Sequence, residues 1–136
     1  MCGAVTFTAS KLREDFGACH CKICQRWSGG VFMAISAPAD KVEWHGMENV
    51  NRIQSSEWAE RAWCSKCGSG LWYRMTNKPN ADYEIPIGLF EDANGMVFQR
   101  EIFIDRKPDC FALQGTHSRL TEAEVLALYG PTTEGT

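Results

Sequence analysis

Three cysteines fall within six residues, at positions 19, 21 and 24 of the stretch Ala18-Cys19-His20-Cys21-Lys22-Ile23-Cys24-Gln25-Arg26-Trp27-Ser28-Gly29. Sulfurs that share a tetrahedral zinc ion at about 2.3 Å must lie within roughly 4 Å of one another. A straight strand keeps residues i and i+2 on one face at about 6.5 Å, too far apart for Cys19 and Cys21. The segment is therefore predicted to turn around an ion, with Cys-x-x-Cys between Cys21 and Cys24 as a tight turn whose backbone N–H groups face the sulfurs. A second turn of the same kind, Cys64-Ser65-Lys66-Cys67-Gly68-Ser69-Gly70, follows about forty residues later. There Gly68 is free to take the positive φ that such a turn needs.

Seven cysteines in all raise the question of disulfides. The N-terminus lacks the charged-then-apolar pattern of a secretory leader, and no apolar run reaches the ~20 residues of a membrane helix. A cytoplasmic protein with no membrane partner is expected. In a reducing compartment such cysteines argue for metal or redox chemistry, and an odd count fits a closed disulfide framework poorly. Two groupings satisfy the spacing. One is a single Cys₄ ribbon of Cys21, Cys24, Cys64 and Cys67, with Cys2, Cys19 and Cys110 as ordinary buried thiols. The other is a three-thiolate set, Cys19, Cys21 and Cys24, beside a second set built on Cys2, Cys64 and Cys67. The second grouping matters because three protein ligands leave the fourth position of a zinc ion open, the mark of catalytic zinc. Cys110 lacks a partner motif and is predicted to be a small buried residue.

The rest of the chain reads as mainly β. Strands are predicted at residues 5–7, 31–36, 41–45, 51–54, 59–63, 71–75, 83–89, 96–98 and 101–104, with residues 9–17 polar and without a period. One helix is predicted near the end: Thr121 caps it with Glu124 three residues on, Val125, Leu126, Leu128 and Tyr129 supply an apolar stripe, and Gly130-Pro131 stops it. At 136 residues the chain is expected to be one domain, 1–136. A net charge of −3 leaves no electrostatic footprint for nucleic acid. His20, between two ligand candidates, is predicted to point away from their metal, and His45 and His117 show no constellation.

Cys-His-Cys-x-x-Cys-x-x-Trp-Ser-Gly, followed at residues 61–71 by Arg-x-x-Cys-x-x-Cys-Gly-Ser-x-Leu, resembles the glutathione-dependent formaldehyde-activating enzyme family, also called the GFA or centromere-protein-V family. The likeness extends to Cys2-Gly3-Ala4-Val5, Gly88-Leu89, Ile102-Phe103 and Lys107-Pro108. It implies a small zinc-containing β fold, with short antiparallel sheets around zinc knuckles and a short C-terminal helix. It implies a catalytic-type Zn²⁺ on Cys19, Cys21 and Cys24, and a structural zinc on Cys64, Cys67 and N-terminal cysteines, of which Cys2 is present. Family members usually open with Cys-x-Cys-Gly, and here Met1 stands at x. The expectation is that the true start lies upstream and Met1 is an internal methionine; otherwise water or a side chain from elsewhere completes the structural site, or it is left empty. A position where the family tends to have Trp is Cys110.

The implied activity is a carbon–sulfur lyase reaction, the reversible joining of glutathione and formaldehyde to S-hydroxymethylglutathione or work on a related small thiol adduct. The partner is then a glutathione-like thiol. Its carboxylates need cations, for which Lys22, Arg26, Arg52, Arg61 and Arg74 lie near the motifs. Arg26, beside the thiol cluster, is the candidate substrate-binding residue, although each of these cations reads first as a solvated surface charge. Trp27, Trp44, Trp63 and Trp72 read as core before pocket wall. The alternative function is a non-catalytic, zinc-stabilised binding module, for which basic extensions would be expected. The sequence names no general base and no oligomeric state.

Overall fold

Short alternating segments punctuated by glycine and proline can bury one face each only by pairing, and they do so in ten strands among the described residues. The structure, a computed structural model, describes residues 1–130. In chain order the elements are β1 (Thr6–Ala9), β2 (Asp15–Cys19), α1 (Lys22–Ser28), β3 (Phe32–Ala37), β4 (Val42–His45), β5 (Val50–Gln54), β6 (Ala59–Cys64), β7 (Gly70–Met75), β8 (Tyr83–Pro86), β9 (Val97–Ile102), β10 (Ser118–Leu120) and α2 (Glu122–Tyr129). Among the described residues no helix is long and apolar enough to cross a membrane. Three features were not foreseen: α1, β10, and β2 within the stretch that looked aperiodic. The predicted strand at 83–89 stops at Pro86, and the two predicted at 96–98 and 101–104 are one strand, β9.

The chain divides into two compact units, each made of separated segments. Unit 1 is Met1–Arg13 with Ile35–Ala93; unit 2 is Glu14–Ala34 with the chain from Asn94 onward. In unit 1, β5, β6, β7 and β8 form an antiparallel meander, and β1 pairs antiparallel with β4. Its core is Ala62, Cys64, Leu71 and Trp72, with Val5, Trp44, Val50, Tyr83 and Leu89 packed against it. Trp44 and Trp72 lie 4.6 Å apart between ring centroids, so these tryptophans fill the core as the sequence suggested. Gly46 turns the chain between β4 and β5 at φ 82°; a Cβ built there would sit 1.9 Å from the carbonyl oxygen of Ala4.

In unit 2, β2 pairs antiparallel with β3 but parallel with β9, and β9 pairs parallel with β10. Parallel strands need long connections, and these partners are far apart in the chain. Phe103 closes β9 in the left-handed region, at φ 56° and 1% exposure. α2 follows β10 directly. Its capping box forms as predicted, with the Glu124 N–H donating to the Thr121 hydroxyl and the Thr121 N–H donating to the Glu124 carboxylate at 2.7 Å. The stripe is another matter: Val125 is buried, whereas Leu126, Leu128 and Tyr129 are exposed. Pro131 of the predicted stop lies outside the described residues.

Candidate metal centre

All seven cysteines carry thiols rather than disulfides. Six gather into two trios, each inside one unit, with ligand atoms that all lie within 4.8 Å of one another: Cys19, Cys21 and Cys24 in unit 2, and Cys2, Cys64 and Cys67 in unit 1. Cys21 and Cys24 thus group with Cys19, and Cys64 and Cys67 with Cys2, rather than the four forming one ribbon. Cys110 stands apart and is exposed, contrary to the expectation of a buried thiol.

The first trio is made by a strand running into a helix. β2 ends on Cys19, Cys21 is the N-cap of α1 at φ −60° and ψ 154°, and Cys24 lies in the first helical turn, its N–H donating to the Cys21 sulfur at 3.4 Å. A thiol therefore holds the place that Ser or Asp usually takes, and the helix start draws Cys24 toward Cys21. Cys21 and Cys24 are buried. Hydrogen bonding to Cys21 and then Cys24, together with burial, holds the Cys19 thiol well above the usual cysteine range. A cation entering this trio must displace protons, as thiolate ligands require.

The second trio hangs on a sheet. Cys64 ends β6 just past a register shift at Ala62/Trp63, and the knuckle folds back through N–H donation from Gly68 to the Cys64 carbonyl at 2.8 Å, with Gly68 at φ 80°. The Cys2 and Cys64 sulfurs are 3.7 Å apart. Two ligands of a tetrahedral ion at the zinc–sulfur distance are about 3.8 Å apart, so the spacing fits. The Ser69 hydroxyl, 3.3 Å from Cys67, and the Ser69 backbone bring the Cys67 thiol down to about 5. This trio lines a cavity of about 460 Å³ whose other walls include Phe7, Leu89 and Phe90. Three clustered sulfurs are a soft donor set able to hold a thiophilic metal ion, and both trios qualify.

A profile of the family described as glutathione-dependent formaldehyde-activating enzyme matches residues 1–106, a span that contains both trios. The chain belongs to this family. An uncharacterized lyase of Schizosaccharomyces pombe is 34% identical over 126 residues, covering 93% of this chain and 90% of the relative. A Halomonas elongata protein, provisionally named a glutathione-dependent formaldehyde-activating enzyme, is 30% identical over 116 residues, covering 79% of this chain and 74% of its own length. A crystal structure of a Rhodobacter sphaeroides protein superposes with a TM-score of 0.57 at 26% identity, over 68% of this chain and 85% of that one.

The candidate cations differ widely in setting. Lys22, Arg26 and Arg52 are exposed. Arg74 is spent on the fold, donating to the Ala81 carbonyl at 3.0 Å and to the Tyr83 hydroxyl at 3.1 Å. Arg61 is no surface charge at all: it is 1% exposed, with its guanidinium 5.0 Å above the Tyr73 ring.

Sequence reasoning missed one cluster. His20 and His117 both meet the carboxylate of Glu101, at 2.7 and 2.5 Å, so His117 does have a constellation. Burial alone would raise the Glu101 carboxyl, and the His117 and His20 hydrogen bonds outweigh it and hold the group low. The one legible hint was a glutamate at the head of the apolar run Ile102-Phe103-Ile104.

Proposed function

We propose that this chain is a zinc-dependent carbon–sulfur lyase that reversibly joins glutathione and formaldehyde, or handles a related small thiol adduct, at Cys19, Cys21 and Cys24. The observation that carries the reading is this trio inside the family-matched span, because three protein thiolates leave a tetrahedral ion one position for a ligand from solution. Zinc held there would supply positive charge that favours a thiolate or polarises a carbonyl. In the reaction the glutathione sulfur bonds to the formaldehyde carbon, and the thiol proton ends on the former carbonyl oxygen; nothing is oxidised or reduced. The chain's part is to fix three sulfurs at the start of α1 and to offer Arg26, exposed in the last turn of that helix, to a glutathione carboxylate. Cys2, Cys64 and Cys67 would hold a second, structural zinc. A cytoplasmic setting, with glutathione at hand, suits this chemistry.

The test is glutathione titration of cobalt-loaded protein. A shift of the thiolate–cobalt bands on adding glutathione, absent in Cys21→Ser, is expected. Charge reversal at Arg26 should weaken the response by roughly tenfold or more if the guanidinium clamps a carboxylate, and hardly at all if it is solvated. A response to other thiols only would keep the centre and discard glutathione. No response to any thiol would favour the non-catalytic binding module.

A second reading has one observation behind it, the cavity of about 460 Å³ on the Cys2, Cys64 and Cys67 trio. A response that survives Cys21→Ser and disappears in Cys67→Ser would move the substrate there.

A further inference from the structure

We infer that Glu101 is a positioning residue for the trio of Cys19, Cys21 and Cys24, acting through His20 and held in its own place by His117 and Arg119; the inference rests on the reading of that trio as a metal centre. His20 is the residue between two ligand cysteines, and it is anchored at three points. Its N–H donates to the Ile102 carbonyl at 3.1 Å, its carbonyl accepts from the Gln25 side chain at 2.6 Å, and its Nε2 lies 2.7 Å from Glu101 Oε1. The chain does not turn between Cys19 and Cys21 as the spacing suggested: β2 runs to Cys19, His20 continues the ladder to Ile102 and Cys21 is extended at φ −60° and ψ 154°, so successive side chains leave on opposite sides and the turn comes only with α1. A peg that draws the ring of residue 20 toward Glu101 therefore sends its two neighbours the other way, which brings Cys19 and Cys21 to a common side.

Glu101 is built to be such a peg. The parallel register sets it opposite Ala18 of β2 on one side and Arg119 of β10 on the other, so the carboxylate sits beside the end of β2. Its second oxygen accepts from His117 Nε2 at 2.5 Å and forms an ion pair with Arg119 Nε at 3.2 Å, and Arg119 donates to the carbonyls of Leu113 and Gly115. His117 is stacked on Phe98, ring centroids 4.0 Å apart. The Nδ1 atoms of both histidines are buried without a hydrogen-bond partner. An unmet lone pair there costs less than an unmet N–H, so both rings carry their proton on Nε2 and donate to Glu101. The His20, Glu101 and His117 side chains are 0%, 1% and 0% exposed, so these three are closed to a substrate, and only Arg119, 43% exposed, reaches solvent. A buried carboxylate with these donors is costly to assemble, and what it controls is the direction of the residue between the ligands.

The test is zinc affinity, read by competition with a chromophoric chelator, together with the cobalt spectrum and the unfolding of the metal-free protein, in Glu101→Gln and His117→Phe. The phenylalanine keeps the stack on Phe98 and removes only the donor, so it decides the matter if Glu101→Gln does not fold. Expected is a roughly 10- to 100-fold loss of affinity at one site in Glu101→Gln, a smaller loss in His117→Phe, and displaced cobalt bands, with the other site unchanged. Folded variants with wild-type affinity and spectrum would overturn the positioning role while the metal centre stands. A lower unfolding midpoint without change in affinity would overturn it in favour of a purely structural role. Wild-type protein whose metal content is indifferent to Cys21→Ser would remove the metal centre itself, and the positioning role with it.

Discussion

Gly46 and Gly68 both take positive φ, near 82° and 80°, yet only one is boxed in. At Gly46 a new Cβ would fall 1.9 Å from the Ala4 carbonyl oxygen; at Gly68 it would meet nothing within 4 Å. Gly68→Ala is therefore expected to cost only the left-handed penalty, about 1–2 kcal/mol. Gly46→Ala adds a backbone clash and should cost roughly 3 kcal/mol or more, as compared by denaturant unfolding midpoints of the two variants. The need for a positive φ at Gly68 was legible because a Cys-x-x-Cys-Gly knuckle is local. The cysteine trios were half legible for the same reason: Cys19, Cys21 and Cys24 declare themselves within six residues, whereas the joining of Cys2 to Cys64 and Cys67 was one of two groupings that the spacing allowed, and only the family likeness chose between them. The Glu101 cluster was not legible. His20 and Glu101 are 81 residues apart and meet through a parallel pairing that no local pattern announces.

Among the elements, α2 separates what capping does from what burial does. Thr121→Ala should lower stability by about 1 kcal/mol through loss of the cap, while Leu128→Ala, on an exposed side chain, should change it by less than about 0.5 kcal/mol. The Thr121 backbone N–H and hydroxyl hold the Glu124 carboxyl below its ordinary value. A depressed carboxyl stabilises above its unfolded-state value and loses that stabilisation as pH falls through the folded one. The deficit of Glu124→Gln relative to the parent is thus expected at neutral pH and should vanish in acid, read from unfolding midpoints across a pH series. The box was legible because its four residues are contiguous; the exposure of Leu126, Leu128 and Tyr129 depends on what packs against the helix. β2 was missed because Asp15-Phe16-Gly17 shows no alternation, and its extended state comes from ladders to β3 and β9. On the proposed assignment of a structural zinc to Cys2, Cys64 and Cys67, Cys64→Ser should lower thermal stability more than Cys21→Ser, although both cysteines are buried, since binding energy at a structural site is folding energy.

At the scale of the whole molecule, the chain passes from one unit to the other after Arg13, after Ala34 and after Ala93, so neither unit is a continuous segment. One domain is expected on that ground, with a single unfolding transition whose calorimetric and van't Hoff enthalpies agree. Two well-separated transitions would argue for independent units. Family membership stands on the match over residues 1–106 and the mainly β class on the ten described strands, whereas the proposed reaction stands on one trio. Its most direct test is the rate at which S-hydroxymethylglutathione exchanges formaldehyde, compared with the uncatalysed rate in the same buffer, since thiols add to formaldehyde unaided and only the excess is catalysis. Zinc-loaded protein should exchange well above background, and Cys21→Ser should fall back to it. Fully zinc-loaded protein that exchanges no faster than buffer would contradict the account.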